Sequence, residues 1–325
     1  MKFTSIPKSY SSYSEPLIYE FDTQSGPADV ELHIVESTTG QTIGSKLLYG
    51  VSKGQVDIAP YVRRAAEVKL PDVVEYSQIL TTGVQIKVKV EVAGVSSSVR
   101  NFIAAKIDTS KTPFALLSEQ ISRRTMARDE FDIIGYFAQP DVVVEVVVES
   151  QGKGSERLTL DVPSGGQSAV AVTAKGMGEG VDELKVTFRV DGTVQSEIYY
   201  AIKPNLKGAR RLAWLNEHRC PELYTFPLRK GVLVKAVRRH MESVWGREAA
   251  ALEGDNELKL ISAYEPQAQI KALAGILSAQ RLWLVEGGVP QKVNLLTDRV
   301  LSSPGGKMGM IEVDIRAAEE GVKLW

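Results

Sequence analysis

The chain has 325 residues, 43% of them hydrophobic and 24% charged, with a net charge of −1, which excludes a disordered polypeptide. That length suits two or three domains of about 100 residues, each able to bury its own core. No apolar run approaches the roughly 20 residues of a membrane-spanning helix, and a single cysteine, Cys220, excludes an internal disulfide framework.

The charge is unevenly spread. Residues 1–107 are balanced, 108–205 hold five more acidic than basic residues, and 206–325 hold four more basic than acidic. Such an excess falls short of the clustered footprint that nucleic acid requires, so neither nucleic acid nor membrane is expected as a partner. The asymmetry suits head-to-tail packing between copies.

Residues 1–15 read as an N-terminal arm, rich in Ser and Tyr and without periodicity, ordered only where something holds it. Lys2 precedes no apolar stretch, so no secretory signal is expected and the chain should stay where it is made. Residues 16–107 read as a first β-sandwich. PLIYEF, VELHIVES and QTIGSKLLYGV are strand-like runs separated by Gly, Pro and Ser/Thr clusters. Alternation puts Leu32 and Ile34 on one face and His33 on the other. DIAPYVRRAAEV suits a short helical turn begun by Asp57 or Pro60. From Val84 to Val92 apolar and charged residues alternate, then turn at Ala93-Gly94 and return as a hairpin.

Residues 108–130 read as a linker in which Phe114, Leu117 and Ile121 have helical spacing, although the segment can equally run extended. Residues 131–204 then repeat the first domain: 131–150 parallels 16–37, and Asp191-Gly192 takes the place of Ala93-Gly94. A repeat at about 100 residues with frequent short strands predicts immunoglobulin-like sandwiches. Neither copy has Trp or Cys, so the antibody-type disulfide pattern is absent.

Residues 205–325 carry all four tryptophans, Trp214, Trp245, Trp283 and Trp325, and so a different core. RRLAWLN, LYTF and GVLVKAVRR read as strands, and 241–256, rich in Ala, Glu and Gly, as a connection to ELKLISAY. A helix is predicted over 266–280, with Pro266 in its first turn and an apolar stripe of Ile270, Leu273, Ala274 and Leu277. The fold expected is mainly β: two tandem immunoglobulin-like β-sandwich domains, then a β-rich domain carrying one packed helix.

Candidate chemistry is sparse. His218 and Cys220 could reach one metal, but no second Cys completes a ligand set, so no metal or cofactor is expected. A Cys-His nucleophile lacks a supporting signature, and Cys220 reads as a turn residue or small buried hydrophobe. The runs Ser164-Gly165-Gly166 and Gly176 to Gly180, and SPGGKMG at 303–309, lack the strand-to-helix setting of a phosphate loop. The pairs Arg63-Arg64, Arg123-Arg124, Arg210-Arg211 and Arg238-Arg239 read as solvated faces or interface rims, since neighbours on a strand point opposite ways. Asp129, Glu130 and Asp132 could line a cleft, but carboxylates flanking a strand are ordinarily solvated. Trp214, Tyr224, Phe226, Trp283 and Trp325 stand out as core or interface anchors.

The PLIYEF strand with its VELHIVES continuation, LLYGVSKGQVDIAPYVRR, WLNEHRCPELYTFPL, and the helix followed by RLWLVEGGVPQKVNL together resemble phage-type structural proteins of Bacteroidetes phages and prophages. The resemblance spans most of the chain and rests on structural segments. Those relatives have a Gly-containing segment before the Tyr-Thr-Phe strand, where Arg219-Cys220-Pro221 stands here. The resemblance implies a non-enzymatic virion component, tail or baseplate associated. It would assemble in the host cytoplasm through contacts with other virion or tail proteins, or as a homo-oligomer. The competing expectation is a carbohydrate- or host-surface-binding sandwich that stacks sugars on exposed Tyr or Trp.

Overall fold

A computed structural model describes residues 1–80, 83–152, 156–162, 165–178, 180–205, 207–244, 246–300 and 307–318, and for most of 228–256 describes the backbone alone. The chain is mainly β and forms three packed units.

The first unit holds β1 (Lys2–Ser5), β2 (Ser11–Ser12), β3 (Ile18–Asp22), β4 (Ala28–Glu36), β5 (Thr42–Val51), β6 (Lys53–Asp57), α1 (Ala59–Ala65), β7 (Gln78–Leu80), β8 (Ile86–Val92), β9 (Val95–Ser96) and β10 (Arg100–Ile103). Its sheets run β1-β3-β6 and β2-β10-β8-β4-β5, with β9 on β8. In β8 alternation buries Ile86, Val88, Val90 and Val92 and leaves Lys89 and Glu91 to pair at 2.7 Å outside. Leu32 and Ile34 of β4 are buried as well, with His33 on the opposite face. Ala93 and Gly94 both have positive φ, 45° and 81°, and close a two-residue hairpin between Val92 and Val95.

The second unit holds β11 (Phe114–Leu116), β12 (Arg123–Ala127), β13 (Phe131–Ala138), β14 (Val144–Gly152), β15 (Arg157–Asp161), β16 (Gly166–Thr173), β17 (Val181–Val190) and β18 (Thr193–Lys203). Its sheets run β11-β13-β16-β7 and β12-β18-β17-β14-β15, the strand order of the first unit with β7 added. The parallel pair β2/β10 has its counterpart in the parallel pair β12/β18. Asp191 and Gly192 repeat the positive-φ hairpin turn at 48° and 78°. Residues 1–15 and 108–130 thus supply the opening strands of the two units, where their sequence suggests an arm and a linker. Both segments hold short strands that owe their extended form to pairing with distant partners rather than to local pattern.

The third unit holds β19 (Arg210–Leu215), β20 (Pro221–Phe226), β21 (Leu228–Ser243), β22 (Gly246–Ile261), β23 (Glu265–Pro266), α2 (Gln267–Leu273), β24 (Leu282–Glu286), β25 (Val289–Leu295), β26 (Met308–Gly309) and β27 (Glu312–Ala317). One sheet runs β20-β19-β24-β25-β27-β22-β21 and β23 pairs β26. Only Pro227 separates β20 from β21, the two edge strands. One residue cannot cross a flat sheet of strands spaced about 4.8 Å apart, so this sheet curls until its edges approach. The expected helix is realised as α2, tightened into a 3-10 turn over Ala274–Ser278. A spacing of three then aligns Ile270, Leu273 and Ile276 in the core and leaves Leu277 half-buried. The expected connection 241–256 is instead the end of β21 and most of β22. Its Ala, Gly and Glu have low strand propensity, which pairing across the hairpin overrides.

Leu212–Leu215 of β19 and Leu282–Val285 of β24 are apolar without alternation because both their faces are covered. Leu212, Trp214, Leu282 and Leu284 belong to the third unit's core with the helix. Ala213, Leu215, Trp283 and Val285 face the other way and join Phe131, Ile133, Ala169 and Ala171 of the second unit in the cluster that also contains the first unit's core.

Candidate functional site

The residues with unusual chemistry gather where the units meet. Asn216 opens the turn before β20: its Oδ1 accepts from the backbone N–H groups of His218 and Cys220, both at 3.0 Å. Arg219 completes the turn at φ 55° and lays its guanidinium 5.7 Å from the Tyr13 ring. This geometry sends Cys220 inward, 1% exposed, among Ile103, Ala105, Leu117 and Phe137. Burial pushes its thiol up to about 12, so at neutral pH it is a protonated, inert group. His218, two residues away, instead accepts the Lys106 N–H at Nδ1 (3.2 Å), and the two side chains share no partner that a metal would need. Among the described residues no group of three His, Cys, Asp or Glu is placed to hold a metal.

Gln167 of β16 ties this junction together. Its Oε1 accepts from the N–H groups of Ala104 and Ala105 at 2.9 Å each, and its Nε2 donates to the His218 carbonyl at 2.8 Å and lies 3.2 Å from Cys220 Sγ. One amide thereby connects the first, second and third units with its acceptor and both donors used.

A buried ionic network lies beside it. Asp132 of β13 accepts from Arg124 and from the Tyr200 hydroxyl, each at 2.8 Å, and its other oxygen sits 3.5 Å from Arg211. Arg211 also donates to the Phe131 carbonyl (2.6 Å), Glu130 (3.2 Å) and Thr225 (2.6 Å), whose hydroxyl donates to Glu130. Glu222 of β20 accepts from Ser118, Gln120, Asn216 and the Glu119 N–H at 2.8–3.0 Å. Burial pushes the Glu222 carboxyl up, opposed by Arg124 and these donors. For Arg124, burial works against the charge, but Tyr200, Asp132 and Glu222 outweigh it and raise its pKa.

A cleft of about 570 Å³ opens over this network between the second and third units, lined by Glu130, Lys203, Arg210, Arg211 and Tyr224 among others. Of the carboxylates suggested by sequence, Asp129 and Glu130 line the cleft and Asp132 lies in the network, and each is engaged: Glu130 with Thr225 and Arg211, Asp129 with Asn205, and Asp132 in the buried ion pairs. Arg124 and Arg211 are 8% and 5% exposed, which overturns the solvated reading for one member of the pairs at 123–124 and 210–211, whereas Arg63 and Arg64 on α1 are both exposed and the side chains of Arg238 and Arg239 lie outside the described ones. Adjacent strand residues do point opposite ways, and in those two strand pairs one guanidinium points inward. Gln167, Glu222 and Tyr200 had no local signal, because apart from Asn216 beside Glu222 the partners that define them lie 51 to 104 residues away in the chain.

Trp214 and Phe226 lie in the third unit's core, both 0% exposed, and Tyr224 is half-buried, donating to Glu265 at 2.8 Å. Trp283, 5% exposed, sits in the core shared between units, and Trp325 lies outside the described residues. Neither Trp214 nor Trp283 offers a face for stacking a sugar.

The other conspicuous element is the β21/β22 hairpin. It pairs from Leu228↔Ile261 to Ser243↔Gly246, with exposed Val244 at its tip. β27 pairs with β22 only over Glu257–Ile261. Residues 246–256 have β21 as their one described strand neighbour, so the hairpin runs on as a two-stranded arm of about 37 Å at ~3.4 Å per residue. Among the described residues β21 is the edge of its sheet along its whole length.

Compared with protein-family models and with curated proteins, the chain matches none.

Proposed function

We propose that the chain is a non-enzymatic structural subunit of a phage or prophage particle, tail or baseplate associated, that works through contacts with neighbouring subunits. The observation that carries this reading is the β21/β22 arm. Over Arg247–Asn256 it extends beyond the sheet with no further strand beside it among the described residues, and a two-stranded ribbon of that length is marginal in water without further partners. The repeated two-sheet units, read as immunoglobulin-like sandwiches, and the buried ionic network supply a rigid body from which the arm projects. Glu130, Arg210, Arg211 and Glu286 of the cleft are held in ion pairs, which suits a joint between units better than a reacting centre.

In this reading the subunit folds in the host cytoplasm and resides in the virion, beside other tail proteins or copies of itself. The test is mass spectrometry and electron microscopy of purified induced particles, with light scattering on the isolated protein. The expected result is the protein as a stoichiometric particle component. A strict monomer missing from purified particles overturns the proposal.

A further inference from the structure

We infer that the partner of the arm is a second copy of the same chain, and that the contact is head-to-tail, with the free edge of β21 in one copy pairing with the free edge of β22 in the next. The inference rests on the structural-subunit reading and adds the identity and polarity of the contact.

β21 and β22 are antiparallel over their full length, and beyond the body of the sheet, over Arg247–Asn256 and the residues of β21 opposite, each has one backbone edge with no other strand beside it among the described residues. Their sequences differ sharply in charge. β21 carries five Lys or Arg (Arg229, Lys230, Lys235, Arg238, Arg239) against one acidic residue, Glu242. The projecting stretch of β22 carries three acidic residues (Glu248, Glu253, Asp255) against Arg247. Pairing β21 with another β21, or β22 with another β22, would bring like charges to one ladder, which disfavours both two-fold arrangements. Pairing β21 with β22 of a neighbour joins opposite charges and places each copy's second edge where a third copy can use it.

Geometry agrees with charge. Copies related by rotation about an axis along the arm have parallel arms, so β22 of one copy lies antiparallel to β21 of the next. The antiparallel alternation within the hairpin then continues from copy to copy without interruption. Such a contact uses two different surfaces and therefore generates a ring where the rotation closes and a filament where it does not. Either form removes the exposed edges that make the lone arm unfavourable.

The experiment is disulfide trapping in the full-length protein. Its one native cysteine, Cys220, is buried and stays silent under native conditions. Arg238→Cys is mixed with each of Ala249→Cys, Ala251→Cys and Glu253→Cys, a set that spans neighbouring registers on β22, under mild oxidation. The expected result is a mixed disulfide dimer in at least one combination, at least tenfold above the homodimer formed by either variant alone. A second variant, with residues 235–255 replaced by Asn-Gly, is expected to keep the wild-type melting temperature and lose the oligomer. Homodimers from either cysteine variant alone, equal to the mixture, overturn the head-to-tail contact while leaving the structural-subunit reading intact. Assembly that persists without the arm, or without any mixed disulfide, overturns it too. A chain that never assembles and is missing from particles defeats the function itself, a distinct outcome.

Discussion

At the scale of single residues, the junction depends on Gly135 and Cys220. A Cβ on residue 135 would collide with the Cys220 Sγ, so the strand β13 can approach the turn before β20 only because residue 135 has no side chain. Gly135→Ala is expected to destabilise the protein by about 1–3 kcal/mol through overpacking, and Cys220→Ala in the same chain to restore only part of that loss, because the Cβ at 220 still lies 2.8 Å from the new methyl group. Urea melts of the two single variants and the double variant check this, and additive losses would count against the collision. Glu222 gives a pH signature. Its folded pKa lies above the ordinary value of 4.5, so the native state holds this proton more tightly than the unfolded chain does. That contribution to stability is fully present below about 4.5 and is lost as pH rises through the raised folded value. Glu222→Gln has no such proton, so the unfolding free energy of the wild type minus that of the variant is expected to be greater at pH 4.5 than at pH 7. A difference flat with pH would falsify the assignment. The sequence around Cys220 shows that a turn is present and that a zinc set is missing. The direction of the thiol is set by Asn216 and Arg219 together with Gln167, which is 53 residues away from Cys220, and no local pattern encodes that meeting.

At the scale of elements, what was legible follows from periodicity. β8 alternates strictly, and β4 does so as far as the bulge at Ile34/Val35, because one face meets the core and the other is more exposed, and their registers follow. β19 and β24 lose alternation because two different cores cover them, which sequence reads as strand but cannot assign to a partner. Strands such as β2, with two residues, carry no period at all. The far part of β22 is hidden for a different reason: its Ala- and Gly-containing sequence looks like a connection, and only its pairing with β21 makes it a strand. The repeated hairpin turn offers a quantitative test. Both turns need positive φ at their first residue, and Asp191 suits that demand where Ala93 does not. Ala93→Asn is therefore expected to stabilise the protein by about 0.5–1 kcal/mol, read as a higher melting temperature, whereas Asp191→Ala should lower it by a similar amount. A lower melting temperature for Ala93→Asn, or an unchanged one for Asp191→Ala, would show that the repeat does not extend to their backbone geometry.

At the scale of the whole molecule, the units are not beads on a string. β7 leaves the first unit to pair with β16 of the second, Gln167 bonds to all three, and Trp283 and Val285 of the third unit complete a core begun by the first two. Arg281 and Arg219 of the third unit reach Glu67 and the Arg63 carbonyl of the first. Removing one unit uncovers apolar surface on the others, so stability is shared rather than summed. The full chain is accordingly expected to unfold in one calorimetric transition whose van't Hoff and calorimetric enthalpies agree. A chain ending at residue 204 exposes Phe131 and Ile133, which are 4% and 1% exposed in the intact protein, and should melt several degrees lower and aggregate. Three separable transitions, with the shortened chain melting where its units melt in the full protein, would mean that the shared core contributes no coupling. An arm acting on a neighbouring subunit requires the coupled outcome, because force on a projecting hairpin is resisted only by a body that unfolds as a unit.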